Sequence, residues 1–160
     1  MLGLPEMRTG IGTDAHVFDA GRELWLGDLP WPGEPGLLGH SDGDALSHAI
    51  VDALLSAAGL GDIGGVFGTD DPAVDGAHGR VFLLAALERI GSAGFALVNV
   101  SAQVVGDRPR IGPRRAELEA HLTRLLGAPV SVSGTTSDGL GMTGEGRGLA
   151  AIATAALRRR

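Results

Sequence analysis

The sequence predicts an α/β or α+β chain with helices lying on one face of a sheet. Three observations carry this. Segments with strand character alternate along the chain with segments of helical period. Hydrophobic residues fill 44% of 160 positions, enough for one domain with a real core. Aromatics are only 4%, with no Tyr, so that core must rest on Ala, Val, Leu and Ile. The 27 glycines point to tight turns or to close backbone approach.

Residues 10–18 read as a strand and 19–21 as a turn. Residues 22–26 and 29–31 then form a small hairpin with Gly27 and Asp28 at its bend, and 32–36 is loop. Ser41 offers an N-cap, with Asp44 three residues on to complete a capping-box-like arrangement. The helix that follows runs to about Ala58 and is stopped by Gly59 and Gly61. Residues 61–79 are too long, polar and glycine-rich for a simple connection and read as a functional loop. A second amphipathic helix spans 80–90, with Val81, Leu84, Ala85 and Leu87 near one face. Residues 95–105 are β-rich. Pro113 opens a third helix whose stripe is Leu118, Leu122, Leu125 and Leu126, ending at Gly127. Residues 130–133 form a strand. In GLAAIATAAL (148–157) alanine favours helix, but the run is too short for its period to decide.

Nineteen acidic against 13 basic residues give a formal charge of −6, which argues against a general nucleic-acid binder. The closing run Arg158, Arg159 and Arg160 reads as a frayed tail, and 1–8 and 158–160 are expected to be flexible. With no Cys, disulfides and thiolate metal sites are excluded, so any metal must be held by His and carboxylates. No apolar run reaches a membrane span, and MLGLPEMRTG lacks a signal-peptide core, so the expected setting is cytoplasmic.

The densest chemistry is HSDGDALSH (40–48), at the mouth of the first helix. Asp44, His48 and Asp52 fall at i, i+4 and i+8 and share a stripe. Alone, that stripe reads as a hydrogen-bonded, partly solvated helix face. Upstream, Asp14 and His16 alternate by two and project from the same strand face. A carboxylate and an imidazole from a strand plus His48 from a helix make a three-ligand site for zinc or a similar ion, with a fourth position open.

A second polar island, GTTSDGLGMTGEGRG (134–148), places consecutive hydroxyls before five glycines between 139 and 148. It suits either a flexible turn or a loop whose N–H groups meet phosphate oxygens. It is no Walker A loop, since no Gly-Lys-Ser/Thr ends it. GLGMTG fits G-x-G-x-x-G, but neither an acidic residue ~20 positions on nor a βαβ unit follows. Arg108, Arg110, Arg114 and Arg115 either solvate a surface or meet a phosphate.

Taken in order, GIGTDAHVF, LLGHSDGDALSHAIVDALLSAAGLGDIG, FGTDDP, DRPRIGP and TTSDGLGMTGEGRG resemble the 2-C-methyl-D-erythritol 2,4-cyclodiphosphate synthase family over nearly the whole chain. The resemblance implies an α+β two-layer sandwich, a mixed sheet with helices on one face, formed by a single domain over 1–160. It also implies a homotrimer with an active site at each subunit interface. Asp14, His16 and His48 would bind Zn²⁺ (or Mn²⁺ or Co²⁺). His40 and Ser41 would meet the substrate diphosphate, with His40 and Thr136 stabilising the transition state. A second ion, Mg²⁺ or Mn²⁺, would bridge the diphosphate near Asp138. Asp62, Ile63 and Gly64 would hold the methylerythritol, with Phe67 and Asp71 as further contacts. Gly106, Asp107, Arg108, Pro109, Arg110, Ile111 and Gly112 would hold cytosine largely through backbone groups. Thr135, Ser137, Met142, Glu145 and Arg147 complete the expected substrate contacts.

The reaction so implied converts 4-diphosphocytidyl-2-C-methyl-D-erythritol 2-phosphate to the cyclic diphosphate and CMP, in the non-mevalonate isoprenoid pathway. Relatives often read FPDTDP where this chain has FGTDDP, so Thr69 replaces a carboxylate and the acid moves to Asp70. GMTGEGRG replaces the usual GFTGRGEG, so Glu145 stands where an arginine is common and Arg147 where a glutamate is; Arg147 is expected to take over part of that arginine's contact. Asp138 stands for a glutamate and shortens the metal reach by one methylene. Two other functions use the same residues. A zinc-dependent phosphoester hydrolase would need a base such as His40 or Asp44. A trimeric protein that only binds a nucleotide or isoprenoid would need no base at all.

Overall fold

The computed structural model describes residues 6–68 and 76–160. Strand β1 (Met7–Leu26) runs through the predicted first strand, turn and hairpin arm without a break. The expected turn at 19–21 is a bulge in it: the register against β2 (Leu29–Leu37) shifts between Asp19 and Glu23, and the Asp19 Oδ1 accepts the Gly21 N–H at 2.9 Å. The loop expected at 32–36 is part of β2. That strand lies at the sheet edge, where prolines cost no ladder hydrogen bond.

Helix α1 (Ala45–Ala58) follows, then the short α2 (Ile63–Phe67) inside the predicted functional loop, then α3 (Gly79–Ser92). Strand β3 (Phe95–Val105), a 3₁₀ turn (Gly112–Arg114) and α4 (Arg115–Leu126) lead to β4 (Val130–Thr135). A single turn, α5 (Gly141–Gly144), precedes β5 (Gly148–Arg159). The sheet order is β2-β1-β5-β3-β4; β3 and β4 are parallel and the other pairs antiparallel. The ambiguous alanine run is therefore the central strand. Leu149, Ala151, Ala153, Ala155 and Leu157 alternate inward, and hydrogen bonding on both edges overrides alanine's helical preference.

One face of β1 explains why α1 lies where it does. A Cβ on Gly12 would collide with the Ala49 carbonyl, and one on Gly10 with the Ala53 carbonyl and the Ala57 amide. The helix therefore rests on bare strand backbone, and the next two residues on that strand face are Asp14 and His16. On α3 the buried residues are Phe82, Leu83, Ala86 and Ile90, while Val81 is 53% and Leu84 46% exposed. The predicted face is thus rotated by about one residue: every position from 81 to 87 is apolar, so periodicity alone did not set the rotation. On α4 the stripe is Leu118, Leu122 and Leu126, with Leu125 half-buried.

Among the described residues the long helices pack on one sheet face. The opposite face leaves Met7, Ile11, Val17 and Ile152 exposed. Of the residues expected in tails, Met7 pairs with Arg158, the Arg159 guanidinium meets Glu6, and the Arg160 N–H donates to the Gly94 carbonyl at 2.9 Å.

Candidate active site

Strand pleat and helix position converge on one point. The Asp14 Oδ2 lies 2.7 Å from the His16 Nε2 and 3.0 Å from the His48 Nδ1. One donor atom from each of the three residues falls within 4.8 Å of the others. The remaining nitrogens are engaged elsewhere. The His16 Nδ1 is 2.7 Å from the Leu38 carbonyl and so donates to it, and the His48 Nε2 lies 3.1 Å from the Ser41 Oγ. Each imidazole is thus oriented by an outer partner while its other nitrogen faces the carboxylate, the arrangement that divalent-metal histidines use. Two nitrogens and one oxygen with an open side fit a divalent cation of borderline softness.

The same closeness shifts the acid–base chemistry. Burial pushes the Asp14 carboxyl upward, but hydrogen bonds and charge from His16 and His48 outweigh it and bring it down to about 2. The hydrogen bond to Asp14 raises the His16 imidazole against an opposing burial effect. Burial lowers that of His48, yet Asp14, Asp44 and Asp42 together raise it on balance. Without metal, the raised imidazoles contribute stability below their ordinary value of 6.5 and lose it as pH rises through their folded values. Asp14 contributes above its ordinary 3.8 and loses that only as pH falls towards about 2. A cation competes with the imidazole protons, so its stabilisation must grow with pH. The expected result is a gain in Tm on adding Zn²⁺ that is small near pH ~5.5 and larger near pH ~8. Thermal melts across that range check it, and a gain independent of pH would contradict this account.

A pocket of about 180 Å³ opens beside these groups, lined by Asp14, His16, His40, Ser41, His48, Asp52, Ile63, Gly64, Gly68 and Phe82. Phe82 and Gly68 were not singled out from the sequence, and Asp52 was placed on the His48 stripe without its contact to α2. The Asp52 Oδ1 accepts the Ile63 N–H at 2.8 Å and ties α2 to α1; burial raises its carboxyl. Its i+4 spacing from His48 was the available signal. Phe82 sets its ring edge-to-face on His48, with centroids 5.6 Å apart, and also packs on Phe67. Gly68 closes α2 at φ 74. Asp62 caps α2, its Oδ1 accepting the Gly65 N–H at 2.7 Å.

Asp44 is not in the pocket. It is the true N-cap of α1, completely buried, and its oxygens accept the N–H groups of Gly27, Asp28 and Ser47 and the Ser47 hydroxyl. The Ser41 cap is thereby corrected, and Asp44 is removed as a hydrolytic base. Ser41 is buried instead against His48.

The other expected substrate residues gather in a second group, at the same end of the sheet. The Gly106 N–H donates to the Thr135 carbonyl, and Ile111 packs on Gly134. The Thr136 Oγ1 donates to the Asp138 Oδ1 at 3.0 Å, with Asp138 at φ 49. Ser137 meets the Leu140 carbonyl and Thr143, and Met142 is half-buried in α5. Glu145 and Arg147 form an exposed ion pair at 2.8 Å, and Arg108 reaches Glu34 at 2.7 Å. Asp107, Arg110 and Gly112 are exposed, whereas Pro109 is buried. Leu149 pairs with His16, Ala150 with Val105, and Val105 with Thr135. Thr135 therefore lies three strands from His16, roughly 14 Å at the usual strand spacing. None of this second group lines the pocket. Thr69, Asp70 and Asp71 lie outside the described residues.

Against known proteins, the YgbB family model matches residues 7–158. The chain belongs to the YgbB family. A YgbB-family relative, the 2-C-methyl-D-erythritol 2,4-cyclodiphosphate synthase of Cutibacterium acnes, is 55% identical over 96% of this chain and 92% of its own length. The bifunctional enzyme IspD/IspF of Clavibacter michiganensis is 63% identical over 96% of this chain, which spans only 37% of that larger protein. A solved 2C-methyl-D-erythritol-2,4-cyclodiphosphate synthase in its CDP-bound form superposes with TM-score 0.86 at 40% identity, covering 94% of this chain and 99% of its own.

Proposed function

We propose that the chain, acting as a single domain, is a 2-C-methyl-D-erythritol 2,4-cyclodiphosphate synthase. The observation that carries this is the Asp14–His16–His48 triad placed beside His40 and Ser41 in one pocket, in a chain of the YgbB family. In the reaction an oxygen of the 2-phosphate forms a bond to the β-phosphorus. The bridging bond from that phosphorus to the α-phosphate oxygen breaks, and CMP leaves with the electron pair. Both partners are polyanionic, so the protein's task is to hold them in line and balance their charge.

The triad would hold Zn²⁺, or Mn²⁺ or Co²⁺ in its place, which when bound neutralises and polarises phosphoryl oxygens. A Mg²⁺ or Mn²⁺ ion at the diphosphate would be served by Asp138. His40, exposed at the turn, and Thr136 are assigned to the transition state. Ser41 orients His48 and faces the diphosphate. Asp62, Ile63 and Gly64 hold the methylerythritol. Gly106 to Gly112, with Thr135, Ser137, Met142, Glu145 and Arg147, hold the cytidine end.

Two features support a site shared between copies of this chain in a homotrimer. The nucleotide-side group is three strands from the triad, and the apolar sheet face of Met7, Ile11, Val17 and Ile152 is open. Among the described residues no helix is long and apolar enough to cross a membrane, and a cytoplasmic setting suits a free nucleotide substrate.

Incubation with the cytidyl diphosphate substrate plus Zn²⁺ and Mg²⁺, followed by ³¹P NMR, tests the reading. CMP and the cyclic diphosphate in equal amounts are expected. Linear phosphates would point to the hydrolase, and binding without turnover to a nucleotide- or isoprenoid-binding protein.

A further inference from the structure

Arg22 lies within the bulge of β1 and reaches across the end of β2. The Arg22 Nη1 donates to the carbonyls of Leu37 at 3.0 Å and Gly39 at 2.8 Å, and the Nη2 donates to that of Ser41 at 2.8 Å. The carbonyl between the first two, Leu38, is taken by the His16 Nδ1. That of His40 accepts the Gly76 N–H at 3.3 Å. Every carbonyl from 37 to 41 is thus held, three of the five by one guanidinium. The run itself has little to stiffen it, since Gly39 lies within it and Gly43, at φ 72, follows it. Arg22 does not line the pocket, and its hydrogen bonds all go to main-chain carbonyls.

We infer that Arg22 is a positioning residue for the proposed reaction: its planar fork sets the turn that carries His40 and Ser41, fixing both relative to His16 and His48. The inference rests on the roles given to those residues above. A guanidinium suits the task because it is rigid and offers donors in several directions at once. A lysine is a compact, flexible charge that cannot span carbonyls spread over five residues in one geometry.

The test compares wild type with Arg22→Ala and Arg22→Lys. For Arg22→Ala, kcat falls about 10- to 100-fold, the cost typical of losing an outer-shell orienting group. Zn²⁺ affinity, read by titration calorimetry, changes far less, because the triad side chains stay in place. Amide exchange at residues 38–42 accelerates. Added methylguanidinium restores turnover to Arg22→Ala, whereas methylammonium does not, and Arg22→Lys recovers only a small part. If Arg22→Ala does not fold, the Lys variant carries the kinetic and exchange comparison alone. Wild-type kcat with wild-type exchange in either variant overturns the inference, as does full recovery by Lys. Should wild type itself show no turnover, the functional reading fails, while faster exchange in the variants would still identify Arg22 as the clamp of this turn.

Discussion

His48→Ala is expected to abolish binding of Zn²⁺ at the proposed triad site and to lower turnover by about 10³-fold, the scale of several kcal/mol of lost charge stabilisation. The reasons are local. The substitution removes one of the two imidazole donors and leaves Asp14 and His16 as a two-ligand site. It also strips the Asp14 carboxylate of one of the hydrogen bonds that hold it ionised against burial, so its proton affinity climbs. Ser41, buried beside His48, loses its partner as well. His48→Gln is the control, because a side-chain amide keeps a polar contact to Ser41 without an imidazole's metal affinity. Both variants should fold, since His48 sits at the rim of α1 and not in its apolar interior. Elemental analysis and steady-state kinetics measure the two effects together. Full metal content with wild-type turnover in His48→Ala would remove the triad from the mechanism.

Mixing two inactive variants should recover activity that neither possesses. His48→Ala would damage the proposed metal-side group, and Thr136→Ala the proposed nucleotide-side group about 14 Å away across three strands. If each working site takes the first group from one protomer and the second from its neighbour, co-refolding equal amounts of the variants makes about one quarter of the sites intact, by the statistics of a closed head-to-tail ring. The mixture should then show about one quarter of wild-type turnover. Re-chromatography before assay confirms that mixed assemblies formed. Activity no greater than the sum of the two variants, in demonstrably mixed assemblies, would place both groups' work within one protomer or make one of them idle.

Some of this molecule was legible residue by residue. The period-2 spacing of Asp14 and His16 and the helical placement of His48 were sufficient to nominate the triad, because pleat and helix geometry translate directly into side-chain direction. The three long helices were also readable from their stops at Gly59 and Gly127 and from leucine spacing. The failures share a cause: the deciding interaction lay far along the chain. Ser41, Asp42 and Asp44 can all cap, and Asp44 wins because Gly27 and Asp28, in the β1–β2 turn, direct their N–H groups at it. The part of β2 beyond Trp31 was hidden by its prolines, which only an edge position excuses. Strand β5 was hidden by alanine, whose local preference yields to two neighbouring strands. Arg22 and Phe82 belong to no motif, and their importance appears only when the chain is folded against itself.

The missing side chains at Gly10 and Gly12 have a consequence for any cation that the triad would hold. With nothing but main chain between strand and helix, the gap separating the two histidines' anchoring points is already at its floor. It does not depend on how the surrounding leucines interlock. Remodelling the oily interior elsewhere, for example Leu83→Met, should therefore soften the molecule without retuning which ion it prefers. Metal choice and thermal resilience can drift apart in this scaffold as separately adjustable traits.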